Sequence, residues 1–126
     1  MRGKRLLALT LLLVLAATLL AACGGDPAIE AASGTYVGQY TKLVGDETKT
    51  EEEFSLDLTP DGKGVHHRDT MDFKVTWTLE GEDFSMDETF IGDPIHYTGT
   101  LKDGELHLYN GDPTDIWTYE YFYKKQ

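Results

Sequence analysis

Two hydrophobic rhythms divide this chain. Residues 6–22 run without a charged side chain behind the basic segment Met1-Arg2-Gly3-Lys4-Arg5, whereas from Gly34 onward apolar and polar residues alternate between frequent turn signals. The second rhythm has the period of a strand, and no stretch shows the i, i+3, i+4, i+7 spacing of a long amphipathic helix. Phe54, Leu56 and Leu58 share one parity. Thr59-Pro60-Asp61-Gly62 then supplies Pro and Gly where a tight turn wants them, and residues 63–69 return as the second half of a hairpin. Phe73, Val75, Trp77 and Leu79 alternate with polar neighbours, and Glu80-Gly81-Glu82-Asp83 turns into Phe84, Met86 and Phe90. Ile95, Tyr97, Gly99 and Leu101 form the next apolar parity, and Lys102-Asp103-Gly104-Glu105 places Asp-Gly where a type I′ turn requires positive φ. Leu106 and Leu108 answer across that third hairpin. In the last segment, residues 116–123, Trp117, Tyr119, Tyr121 and Tyr123 are assigned to the core in competition with Ile116 and Phe122. With residues 34–43 as the first strand, the pattern predicts an all-β domain of about eight strands. A small antiparallel up-and-down barrel or a two-layer sandwich accommodates that count, and closure into a barrel removes exposed edges.

The first rhythm has a different meaning. A basic start followed by an apolar run is an export signal, and 17 residues read as a helix reach roughly 25 Å, short of a hydrocarbon core of about 30 Å. The run ends in Leu20-Ala21-Ala22-Cys23, which resembles the lipobox of bacterial lipoproteins. That resemblance implies cleavage before Cys23, a diacylglycerol on its thiol, and an extracytoplasmic protein held to the cell membrane by lipid. The chain then divides into a signal peptide (1–22), a lipidated flexible tether (23–33) and one β domain (34–126). Cys23 is the only cysteine, so the mature chain holds no internal disulfide, no CxxC motif and no thiolate zinc cluster. Its 104 residues suit one small domain.

Charge narrows the partners. The leader holds three of the 11 basic residues and none of the 22 acidic ones, which leaves the mature part at −14. Such a surface repels nucleic acid and anionic headgroups, so no nucleic-acid partner is expected.

The domain opens with Gly34-Thr35-Tyr36-Val37-Gly38 and continues with Asp61-Gly62-Lys63-Gly64, Trp77, Tyr97-Thr98-Gly99, then Leu101-Lys102-Asp103-Gly104-Glu105-Leu106 and an aromatic-lysine ending. These segments resemble the small lipocalin-like domains of bacterial lipoproteins over about 90 residues. The resemblance implies a barrel. The Gly-x-Trp that opens larger lipocalins stands here as Gly34-Thr35-Tyr36, so a roomy ligand cavity does not follow.

Candidate chemistry is sparse. The chain has no Gly-x-Ser-x-Gly, His-Glu-x-x-His, phosphate-binding or dinucleotide motif, so no catalytic residue and no cofactor is assigned. Adjacent His66 and His67 send their rings to opposite faces of a strand and cannot share a metal from one face, and no metal site is assigned. His96 and His107 fall on the solvent parity, with His107 opposite Thr100. Glu88 stands out because it lies on the apolar parity of Phe84, Met86 and Phe90, where a carboxylate is costly unless paired or wet. A strand end open to water, or a bulge, is the expected escape. Trp77, Tyr97, Trp117, Tyr119 and Tyr121 either fill a narrow barrel or, with Glu88, line a small ligand pocket. The expectation is a non-catalytic binding domain for a small apolar ligand or an envelope protein. The alternatives are a carboxylate-dependent envelope glycan hydrolase, using pairs such as Asp87 or Asp72 with Glu88, or an acidic inhibitor of a basic envelope enzyme.

The anchor is testable apart from the fold. Cys23→Ala abolishes metabolic labelling with a clickable fatty acid while leaving the β domain folded, as read by circular dichroism of a soluble form beginning at Ser33. Label persisting on the variant contradicts the lipobox reading.

Overall fold

The computed structural model describes residues 26–89 and 91–126. The leader, Leu20, Ala21, Ala22, Cys23 and Phe90 lie outside the described residues. Within the segment expected to be an irregular tether, Pro27–Ala32 forms a short helix, α1. Its start is local chemistry: Asp26 accepts the Ala28 N–H at 2.8 Å through its side chain, and Pro27 occupies a first-turn position where no N–H is needed.

From Gly34 the chain builds eight antiparallel strands in a closed barrel whose neighbours follow chain order. They are β1 (Gly34–Leu43), β2 (Ser55–Leu58), β3 (Lys63–Arg68), β4 (Met71–Glu80), β5 (Asp83–Glu88), β6 (Ile95–Lys102), β7 (Glu105–Tyr109) and β8 (Tyr119–Lys125). β8 closes onto β1, so every strand has two partners and no edge is left open. The predicted parities point inward, with Leu56, Phe73, Val75, Trp77, Phe84, Met86, Tyr97, Leu106, Leu108 and Tyr123 all buried. Trp77 stacks on Phe84 at 5.8 Å, and its indole N–H donates to the carbonyls of Thr59 and Lys63 at 3.1 and 3.0 Å. The largest core side chain thereby also ties down the β2–β3 turn.

Two local devices set the register. A bulge at Gln39 shifts the β1–β8 pairing between Gly38 and Tyr40, so Tyr36 and Thr41 both face inward although their spacing is odd. Gly99 allows β6 and β7 to approach closely: a Cβ there would fall 1.7 Å from the His107 carbonyl oxygen.

Because the strands run up and down, the connections segregate to two ends. One end carries short turns, 59–62, 81–82 and 103–104, and the other carries 44–54, 69–70, 89–94 and 110–118. These are the turn end and the loop end. Asp103 and Gly104 both have positive φ, 52° and 76°, as the Asp-Gly signal predicts.

The last strand requires a correction. Tyr121 and Tyr123 take the inner parity, but β8 begins only at Tyr119, and Trp117 lies in the preceding loop. Trp117 and Tyr119 are exposed rather than core residues. Hydrogen bonds between Asn110 and Tyr119, and from the Val44 N–H to the Thr118 carbonyl, hold the chain where its side chains overshoot the barrel.

The β3–β4 connection stores strain. Asp69 and Thr70 make the two-residue turn with φ of 52° and 60°, a conformation in which a β-branched residue is an outlier. Thr70→Gly should raise stability by about 1 kcal/mol, seen as a higher urea midpoint at unchanged slope. A lowered midpoint shows that the turn is not strained.

Candidate functional site

Glu88, the last residue of β5, has no exposed surface, and neither has His66 of β3. Cross-strand pairing imposes this: Val75 stands opposite Glu88, and Leu56 and Phe73 flank His66, all on the inner face. The carboxylate survives burial because four groups converge on it. The His66 Nδ1–H donates to Oε1 at 2.6 Å, the Arg68 Nη2–H donates to Oε2 at 2.6 Å, Arg68 Nε lies 3.2 and 3.3 Å from the two oxygens, and the Tyr97 hydroxyl donates to Oε2 at 3.2 Å. Donation from Nδ1 leaves His66 Nε2 as an acceptor, filled by the Tyr123 hydroxyl at 2.8 Å. Arg68 is further held by Asp69 at 2.6 Å and lies over the Phe73 ring at 4.4 Å. Among the described residues no buried side-chain polar atom lacks a partner.

The electrostatics follow from this closure. Burial pushes the Glu88 carboxyl upward, but hydrogen bonds from His66 and Arg68 outweigh it and hold the group below the ordinary carboxylate value. The hydrogen bond to Glu88 raises Arg68, which therefore stays charged. Burial lifts Tyr97 and Tyr123 well above an ordinary phenol and takes Tyr121 up to about 12, so all three remain hydroxyl donors at neutral pH. The result is a neutral Arg–Glu pair with its hydrogen bonds filled from inside. A carboxylate with its hydrogen bonds filled and no water access is a poor general base, and of Glu88, His66, Arg68, Tyr97 and Tyr123 only Arg68 is more than marginally exposed.

The outer wall carries separate polar chains. His67 bonds Asp72 at 2.5 Å and Asp57 at 2.8 Å, and His96 bonds Asp87 at 2.6 Å. His107 pairs with Thr100 as its spacing predicts, and it bonds Glu120 at 2.9 Å while stacking on Phe122 at 4.2 Å. Phe122 in turn stacks on Tyr40 at 4.4 Å, and Lys49 covers Tyr40 at 4.5 Å. The ring faces in this ladder cover one another. Two clefts lie against the outside: one of about 640 Å³ beside Tyr40, His107 and Phe122, and one of about 590 Å³ beside Phe54, Arg68 and Met71.

The six residues proposed for ligand contact do not form one pocket. Glu88, Tyr97 and Tyr121 meet around His66 toward the loop end, and Trp77 packs toward the turn end. Trp117 and Tyr119 stand outside. The escape expected for Glu88, water or a bulge, is also corrected: it is paired inside. His66 and Arg68 were not foreseen as its partners, although their shared parity on β3 was the available signal. Asp72 and Asp87 lie on the outer face, so neither shares a concave site with Glu88. Among the described residues no group of three or more His, Cys, Asp or Glu is placed to hold a metal.

The loop end has a different character. Among the described residues the exposed large apolar side chains are Val37, Met71, Ile91, Ile116, Trp117 and Tyr119. All but Val37 sit in the loop-end connections or on the first residue of the strand that follows. Trp117 is 76% exposed and Ile91 93%. No protein family, curated protein or solved structure was found to match this chain.

The cluster makes a quantitative prediction. Glu88→Gln leaves the part-buried Arg68 guanidinium with only the exposed Asp69 as a charged partner and should cost about 3 kcal/mol in urea unfolding. Glu88→Leu with Arg68→Met should cost less than the single change, because both charges go together. A lowered carboxyl contributes stability above its unfolded value, about 4.3, and that stability is lost as pH falls through the folded value. The wild type therefore loses stability on acidification, and Glu88→Leu/Arg68→Met loses less. Equal acid sensitivity contradicts the assignment.

Proposed function

We propose that this chain is an extracytoplasmic bacterial lipoprotein, anchored through lipid on Cys23, whose lipocalin-like barrel is a non-catalytic binding domain. Its binding surface is the loop end rather than the interior. The observation that carries this reading is the self-satisfied Glu88 cluster: the axis of the barrel toward the loop end is filled by the protein's own charged and aromatic side chains. A small ligand entering there would have to break a buried ion pair without offering better partners. Large apolar side chains that are left exposed mark interaction surfaces, and among the described residues all but Val37 gather at one end.

The anchor reading rests on the basic leader and Leu20-Ala21-Ala22-Cys23. Among the described residues no helix is long and apolar enough to cross a membrane. Two acyl chains on one cysteine give durable attachment without such a helix. Native mass spectrometry of the lipidated protein purified from its host tests the choice between interior and surface. The expected spectrum shows the acylated chain without a stoichiometric small molecule. A bound small molecule at full occupancy, lost on Glu88→Leu/Arg68→Met, overturns the surface reading.

A further inference from the structure

We infer that the partner of the loop end is a protein whose contact face is cationic around an apolar centre, with Trp117 as the anchoring side chain; this rests on the surface-binding reading above. Three observations converge. First, the apolar residues are unevenly placed: the turn-end connections hold none of the exposed large apolar side chains, while the loop end holds Met71, Ile91, Ile116, Trp117 and Tyr119. Second, Trp117 is held outward by a built loop. Asp112 Oδ1 accepts from the Thr114 N–H at 2.9 Å, Asp115 Oδ1 accepts from the Trp117 N–H at 3.0 Å, and the buried Thr118 donates its hydroxyl to the Asp112 carbonyl at 2.7 Å. Asn110 closes the loop by accepting from the Tyr119 N–H at 2.8 Å. A large aromatic carried on an ordered backbone is the form that interface anchors take. Third, the four loop-end connections contain nine carboxylates and one lysine.

The charge selects among occupants. Exposed Trp and Ile side chains also suit a bilayer surface, but carboxylates at this density are repelled by anionic headgroups. A second copy of the chain would bring the same negative face against itself. A basic protein face satisfies both features, because its cations meet the acidic rim while an apolar centre covers Trp117 and Ile116.

The test uses the full lipidated chain in its host, with the photo-crosslinker p-benzoylphenylalanine at Ile116 (Ile116→p-benzoylphenylalanine) and, as control, at Glu82 on the turn end. The expected result is a discrete adduct from position 116 with a different protein, whose cross-linked peptide carries net positive charge, and none from position 82. Adduct yield should fall steeply between about 50 and about 500 mM salt. Trp117→Ala should weaken binding about thirtyfold with an unchanged melting temperature. A protein adduct from position 116 with a neutral or acidic contact peptide, or one insensitive to salt, overturns the cationic partner and leaves loop-end docking standing. Adducts to lipid or to a second copy overturn the inference in favour of those occupants. No discrete adduct at position 116, or equal yield at position 82, overturns loop-end docking itself.

Discussion

A fully buried carboxylate has to be compensated, and much of this barrel's interior is arranged around that requirement. Glu88 lies where cross-strand pairing leaves it no route to water, opposite Val75 on one side and Ile95 on the other. Desolvation of an isolated carboxylate costs several kcal/mol. Arg68, His66 and Tyr97 offset it from β3 and β6, so one cluster links strands that do not adjoin β5 to strands that do. Tyr123 extends the chain of hydrogen bonds to β8, which closes the barrel. The polar core thus ties together the strands whose register the apolar residues set.

The same cluster separates the two ends. Toward the turn end the core is apolar and aromatic, with Trp77 and Phe84 packed beneath tight connections. Toward the loop end it is ionic and full, and the long connections above it present apolar side chains to solvent. A rigid floor under variable loops is a common arrangement for binding, since a scaffold positions residues that need not contribute to stability. Exposed apolar side chains add nothing to folding. Their concentration above an ionic core is what favours the surface over the axis in the binding role proposed for this barrel.

Much of the barrel was legible because its physics is local. Alternation over Phe73, Val75 and Trp77, the Asp103-Gly104 turn and the Thr100–His107 pairing each follow from period two and from turn chemistry, and all are found. The failures are equally physical. Trp117 shares the parity of Tyr121, but parity has meaning only within a strand, and the caps from Asn110, Asp112 and Asp115 end the strand before reaching it, while Tyr119, the first residue of β8, keeps the parity but stands exposed at the strand's end. Glu88 was visible as an anomaly without its answer, since His66 and Arg68 lie 20 or more residues away and meet it only after the strained Asp69-Thr70 turn sets the β3–β4 register. That turn carries no Gly or Asn to announce it. The bulge at Gln39, which changes parity within β1, left no sequence mark either.

Hydrogen exchange of the lipidated protein, with and without detergent-solubilised envelope from its host, tests the central claim most directly. The account predicts added protection confined to residues 44–54, 69–72, 89–94 and 110–119, with exchange in β5 and β6 unchanged. Added protection along the strands that line the axis, or at the turn end instead of the loop end, contradicts it.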